Sequence, residues 1–289
     1  MKNTKKQSGF TLVEIIVVIA IMGIIGGLST LIIGRSLDSY AALERRTELQ
    51  TSIRLAVERI SREIRHALPH SICVNNGGAC ANNGNRFYFI PVKDSGRYQD
   101  KAGIYTAPPA IQRNRLAVTP QSNDRFDVLS TNAANRLNAG NGDWAVVYNL
   151  NNTDIYANLN DVRHQINIID QKDIHNDGIA ATDIDQIQLT ANQSFANNSP
   201  TRRFHIIADD VVTLFYLDGT DLKRDTTTFN APNTATANTR LLMQNVQACI
   251  FTYTPGSPQR AGLLRIDITV TQQGETVQVI QDVHVYNTP

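Results

Sequence analysis

Between Phe10 and Ile33 the chain runs for 24 residues with a single formal charge, Glu14. As a helix rising ~1.5 Å per residue, that stretch is long enough to cross a hydrocarbon core of roughly 30 Å. The feature constrains the whole chain: a membrane-length helix at one end leaves everything after Ile33 to fold as a head attached to it. The lone carboxylate needs a reason, because a charge at the bilayer centre costs about 2.5–3.5 kcal/mol on insertion scales, less near the end, and usually marks function. Ahead of the apolar run stands a short leader with Lys2, Lys5 and Lys6 that ends in Ser8-Gly9. An ordinary secretory signal would have an apolar core of about 7–15 residues followed by its cleavage site. Here the polar motif comes first, so a cut after it leaves the helix on the mature chain. An uncleaved anchor is the plain alternative, yet an anchor requires neither Gly9 nor Glu14.

Ser8-Gly9, then Phe10-Thr11-Leu12-Val13-Glu14 at the head of an apolar helix, resembles the class III signal of type IV prepilins and of type II secretion pseudopilins. The resemblance implies that a dedicated prepilin peptidase cuts after Gly9 and methylates the new N-terminus at Phe10. It implies a chain held in the bacterial inner membrane with its head in the periplasm, later extracted into a filament through the assembly platform. The glutamate at the fifth mature position, Glu14, is then an assembly residue, pairing with the N-terminal amine of a neighbouring subunit. Two charges ~4 Å apart interact by about 4 kcal/mol at an effective dielectric near 20, enough to offset desolvation and set an axial register. Some tip subunits of that family lack the glutamate, so Glu14 argues against a place at the extreme tip. Other pilins, contacted through the helix, are the partners implied.

Past Gly34-Arg35 the helix is expected to continue to about Leu68 in amphipathic form. Ile53, Val57, Ile60 and Ile64 recur at steps of four, three and four, which puts them on one face. Glu44, Arg45, Glu48, Arg54, Glu58, Arg59, Arg62, Glu63 and Arg65 fill the opposite face, read as a solvated surface. Pro69 ends the helix, since the residue before a proline is driven from helical geometry. The expected division is therefore 1–9 leader, 10–34 membrane and filament-core helix, 35–68 amphipathic continuation, and 69–289 a β-rich head. About 220 residues follow the helix, enough to bury roughly 70% of the unfolded surface. The 27 Lys+Arg fall to 24 once Lys2, Lys5 and Lys6 leave with the leader, against 26 Asp+Glu. Such a slightly acidic mature chain offers no overall positive field for nucleic acid.

In the head, Arg86–Val92, Phe126–Leu129, Trp144–Leu150, Gln186–Leu189, Arg203–Ala208, Val211–Leu217, Leu241–Tyr253, Leu263–Thr271 and Glu275–Tyr286 read as strands. Asp218-Gly219 and Gln273-Gly274 are turn signals, the second closing a C-terminal hairpin. Ser130–Asp143, Asn151–Asp161, Thr190–Pro200 and Thr226–Thr239 are polar tracts that read as long surface loops. The fold class is α+β: a long N-terminal helix packed on antiparallel sheets, which resembles the pilin fold. Leu241-Leu242, Asn245-Val246, Phe251-Thr252-Tyr253, Arg260-Ala261-Gly262-Leu263, Glu275 and the ending Val283-His284-Val285-Tyr286-Asn287-Thr288-Pro289 resemble, more narrowly, the MshO-type minor pilins of the mannose-sensitive haemagglutinin (MSHA) pilus. The J-type pseudopilins are similar in helix and terminal sheet. Major pilins often carry a proline where this chain has Leu31, which puts their helix kink in question here; Gly23, Gly26 and Gly27 are the residues left to loosen it.

Cys73 and Cys80 bracket a flexible Asn- and Gly-containing loop. In an oxidising periplasm they are expected to form a disulfide, worth about 2.5 kcal/mol by loop entropy, with Cys249 left as a small buried residue. His66, His70, Cys73 and Cys80 also contain zinc-ligand types, but their spacing matches no standard site. Asp173-Ile174-His175-Asn176-Asp177-Gly178, with Asp183 and Asp185 beyond, resembles a calcium loop in part: Asp173, Asp177 and Gly178 fit, whereas His175 and Ile184 do not. A polar turn is the simpler reading, so no cofactor is expected. The chain has no nucleophile elbow, P-loop, dinucleotide fingerprint or His-Glu-x-x-His motif, and a structural subunit is expected rather than an enzyme.

Overall fold

The structure, a computed structural model, describes residues 11–101, 103–105, 111–129, 136–157, 161–172, 184–257 and 260–285. Helix α1 runs unbroken from Leu12 to Ile64, across Gly23, Gly26, Gly27 and position 31. Its described large apolar side chains before Leu37 lie in the open, and the buried stripe begins only at Leu49. From there Leu49, Ile53, Ala56, Val57, Ile60 and Ile64 form one face, set by the 3.6-residue period, and pack into the head. The helix ends four residues short of Leu68. Pro69 has no N–H to give the Arg65 carbonyl, and the chain instead tightens over His66 N–H to Glu63 O and Ala67 N–H to Ile64 O. Leu68 N–H then donates to Ile90 O, and Val92 N–H to His66 O, so strand-like pairing takes over before the proline is reached.

Among the described residues the head holds three antiparallel sheets of four strands or more. The first orders β1 (Cys73–Asn75), β3 (Arg86–Phe89), β12 (Val212–Asp218), β13 (Asp221–Thr227) and β14 (Arg240–Met243) side by side. The second orders β4 (Val92–Arg97), β11 (Arg203–Ile207), β8 (Trp144–Val146), β9 (Arg163–Lys172), β10 (Ile184–Gln193) and β7 (Asn123–Asp127). The third is β17 (Glu275–Val285), β16 (Gly262–Gln272), β15 (Val246–Thr254) and β2 (Asn83–Gly84). A small hairpin, β5 (Gly103–Tyr105) with β6 (Ile111–Arg113), stands apart from them.

Alternation along each strand divides the interior into three clusters. In the first, the stripe of α1 meets one face of the third sheet (Phe251, Leu264, Ile266, Ile268, Val283) and one face of the first (Phe87, Phe89, Phe215). Phe87 joins those two sheets directly, its ring 4.6 Å edge-on from Phe251 and 5.1 Å stacked on Phe215. The other face of the first sheet (Tyr88, Leu214, Tyr216) packs against Val146 and Ile207 of the second and against Ile155. The far face of the second sheet carries Phe126, Ile187, Phe204 and Ile206 under Tyr98, Leu116 and Phe195. The described architecture is α+β and pilin-like.

Several expected strands divide. Leu241–Tyr253 splits at Asn245, which takes φ +60°, so β14 serves the first sheet and β15 the third. Arg86–Val92 splits at Ile90-Pro91 in the same way, into β3 and β4. Gly84, in β2, lies so close to the Asn75 backbone that no side chain fits there. Asn151–Asp161 holds a short helix, α2 (Asn152–Ala157), with Ile155 buried. Thr226–Thr239 is held from inside, its anchor being the buried carboxylate of Asp225. That group accepts from Thr236 N–H (2.5 Å), Thr236 Oγ1 (2.7 Å) and Thr239 Oγ1 (2.8 Å). Burial pushes the Asp225 carboxyl up, and these hydrogen bonds outweigh it, leaving it below its usual range. Phe229, in the same tract, is buried in the core.

Candidate functional site

The candidate site is the N-terminal end of α1 and its continuation into the head. Thr11 is the N-cap, extended at φ −80° and ψ 151°, and its Oγ1 accepts from Glu14 N–H at 3.3 Å. Glu14 is thus the third residue of the helix, in its first turn, where a carboxylate meets the positive end of the helix dipole. Thr11-x-x-Glu14 ahead of an apolar run is a capping-box spacing, a signal legible in the sequence that the strand-and-helix reading above did not use. Gly9 and Phe10 lie outside the described residues. The preference of Glu14 for this turn does not consume the carboxylate's charge, which remains available to a cation beyond the helix end.

Between Leu12 and Ile33 the described large apolar side chains are exposed: Leu12 75%, Ile19 65%, Met22 67%, Ile24 64%, Ile32 66%. None of the most apolar part of this helix is covered by the rest of the chain. Such a surface in water would be an aggregation liability, and its natural solvents are a bilayer or other apolar helices. By length and composition α1 is the one described helix able to span a membrane.

Farther along, α1 is fastened to the head by more than its stripe. Glu63, assigned from sequence to the solvated face, accepts from Arg224 Nε of β13 at 3.1 Å and from Arg59 Nε at 3.4 Å. Both Glu63 and Arg224 side chains are largely shielded, at 25% and 21% exposure. Sequence reading missed this tie because Arg224 sits in a strand with no apolar alternation, although Glu63 borders the buried stripe between Ile60 and Ile64.

Cys73 and Cys80 are joined by a disulfide, and Asn152 Nδ2 of α2 donates to Cys80 Sγ at 3.2 Å. Their mutual bond removes both sulfurs as zinc thiolates, so the His66, His70, Cys73, Cys80 series holds no zinc site of the kind weighed. Cys249 is buried, and burial raises its thiol, as befits an inert core residue. Asp173, Asp177 and Asp183 lie outside the described residues. Asp185, which is described, accepts from Arg136 Nε at 2.9 Å and from Leu137 N–H at 2.8 Å. Among the described residues no group of three His, Cys, Asp or Glu side chains is placed to hold a metal.

The family model of the prokaryotic N-terminal methylation motif matches residues 4–30. That span contains the leader, Gly9, Phe10, Glu14 and most of the exposed apolar helix, and it supports a type IV pilin or pseudopilin processed by a prepilin peptidase. Comparison with curated proteins and with solved structures gives no match.

Proposed function

We propose that this chain is a low-abundance subunit of an MSHA-type type IV pilus, of the MshO kind. It is inserted in the inner membrane, cut after Gly9, methylated on Phe10, and drawn through the assembly platform into a filament that it helps to prime. The observation that carries the reading is the continuity of the methylation motif with a helix whose first half is apolar and uncovered while its second half is locked into a β-rich head. That division suits a subunit whose helix trades lipid for neighbouring helices. Glu14 is the residue that guides the exchange, its charge meeting the amine of the next subunit. The role is structural, with no reaction performed by the head, and its partners are other pilins rather than nucleic acid.

The test is intact mass and N-terminal sequencing of chain recovered from membranes, with and without the prepilin peptidase. A mature chain beginning at N-methyl Phe10 only when the peptidase is present is the expected result. A chain beginning at Met1 in both samples sinks the filament reading. Glu14→Gln is expected to leave cleavage intact and to cut incorporation into sheared filaments at least about tenfold, the effect of losing ~1.4 kcal/mol or more of pairing. Recovery of the chain in a secretion pseudopilus instead of MSHA filaments would move it to the J-type assignment.

A further inference from the structure

Where α1 ends, its last residues close over the start of the second sheet and leave a cleft of about 160 Å³. Arg65, His66, Ala67 and Pro69 form one wall; Val92 and Ser95 of β4, with Arg203 and His205 of β11, form the other. Among the described residues no acidic side chain lines it. Ser95 and His205 are directly opposite in the ladder, which puts their side chains on one face of the sheet. Among the described residues, no carboxylate pairs with Arg65 or Arg203. The His205 ring is deeply placed, with Nδ1 and Nε2 both buried and both without a hydrogen-bond partner. A buried donor or acceptor left so is costly, about 1–3 kcal/mol, and calls for an explanation.

We propose that this cleft is a binding site for a small tetrahedral oxyanion, sulfate or phosphate, held by Arg65, Arg203 and Ser95 over the His205 ring. The chemistry of the walls selects the charge: two guanidiniums, a hydroxyl and two imidazoles offer donors and no competing carboxylate. The size selects the class, since about 160 Å³ is well below the roughly 300–1,000 Å³ of a drug-sized ligand site. A headgroup of the anchoring bilayer is out of reach, because about 48 Å of helix separates Ile33 from Arg65 at ~1.5 Å per residue. The anion is therefore free in solution or borne by a saccharide. The groups facing His205 are Arg65 and His66 from the helix end, Ser95 from β4, Val146 from β8 and Arg203 on its own strand, none of them negative. Burial, with Arg203 second, lowers the His205 imidazole to about 4, and an anion in the cleft reverses the second effect, so binding tightens as pH falls.

The experiment is calorimetric titration of the full chain in detergent micelles with sodium sulfate at low-millimolar concentration, against sodium chloride at matched ionic strength. Sulfate is chosen because its charge is constant over the range where histidine titrates. Saturable binding to sulfate alone, tighter at about pH 4.5 than at about 7.5, is expected, because the proton that the anion favours is taken up only near the low folded value of His205. Arg65→Gln and Arg203→Gln, both at exposed positions, should each weaken it about tenfold, and Ser95→Asp should abolish it while removing no cation. Galactose 6-sulfate provides the second arm: affinity equal to that of inorganic sulfate assigns a free ion, and tighter affinity assigns a saccharide. The proposal is overturned by the absence of saturable binding, or by binding that survives unchanged in the Arg65→Gln/Arg203→Gln double variant.

Discussion

Glu63 and Arg224 show how one residue's worth depends on where its partner stands. Exposed pairs such as Glu58–Arg62, at 68% and 74% exposure, are worth a few tenths of a kcal/mol. Glu63–Arg224 is shielded on both sides and joins the helix to a strand 161 residues away in sequence. Arg224→Gln is expected to lower unfolding stability by about 1–2 kcal/mol, read from urea midpoints, while Arg62→Gln shifts them by less than about 0.5 kcal/mol. Equal effects from the two variants would dismiss the tie. At the helix start, the stretch that matches the methylation motif was legible from the chain alone because a lone charge in an apolar run is a local anomaly. Arg224 and His205 were not, because their importance arises from neighbours that only the fold brings up. His205 yields a pH prediction whose sign is fixed by its burial. Unfolded, the imidazole takes a proton near its ordinary value of about 6.5; folded, it resists until about 4. The unfolded chain therefore binds more protons in between, and stability falls as pH drops through that window in sulfate-free buffer. His205→Phe should flatten that part of the stability profile, and a slope left unchanged in the variant would rule the group out as its source.

At the scale of elements, the helix stripe and the C-terminal hairpin were readable because each follows a single period, 3.6 or 2, from one buried face. β9 and β13 escaped that reading for opposite reasons. β9 begins with Arg163 and His164, both buried, and Arg163 is sandwiched between Trp144 at 4.6 Å and Phe229 at 4.3 Å, a packing that polarity alone conceals. β13 reads Asp-Leu-Lys-Arg-Asp-Thr-Thr, yet Leu222, Asp225 and Thr227 point inward. Its place between β12 and β14 is secured by full register with the former and by the hydrogen bonds of Asp225. Helix α1 carries the element-scale prediction. Ile60, fully buried between the sheets and the helix, should cost about 2–5 kcal/mol as Ile60→Ala, measured by denaturant unfolding in micelles. Ile24→Ala, in the uncovered half, should leave that transition where it was; a comparable loss from Ile24→Ala would mean that the two halves do not fold as independent parts of one rod.

For the whole molecule, the division of α1 predicts what truncation does. Described residues before Leu49 bury little against the head; Ser29, Ala41, Ala42 and Arg45 are half-covered and the other described side chains are open. A fragment beginning at residue 36 should therefore be soluble without detergent, unfold cooperatively, and show the same penalty for Ile60→Ala as the full chain. Aggregation of that fragment, or loss of its near-ultraviolet circular dichroism, would show that the membrane half supports the head after all. The sequence patterning disclosed the overall plan of rod and β-rich head. It did not disclose that the head is layered as three sheets, because the switches at Ile90-Pro91 and Asn245 are single-residue events inside apolar runs.

The disulfide sits where the rod enters the head, and this position decides how the molecule answers a pull. Tension along α1 first shears its stripe across the third sheet. Should that contact slip, the segment from Arg65 straightens and the strain arrives at Cys73. There the covalent bond to Cys80 forwards it past residues 74–79 toward β2, the edge strand of the third sheet, which pairs with β15. The first sheet and the third are consequently drawn on together, through their edge strands β1 and β2, and the load is divided between two sheets instead of falling on β1 alone.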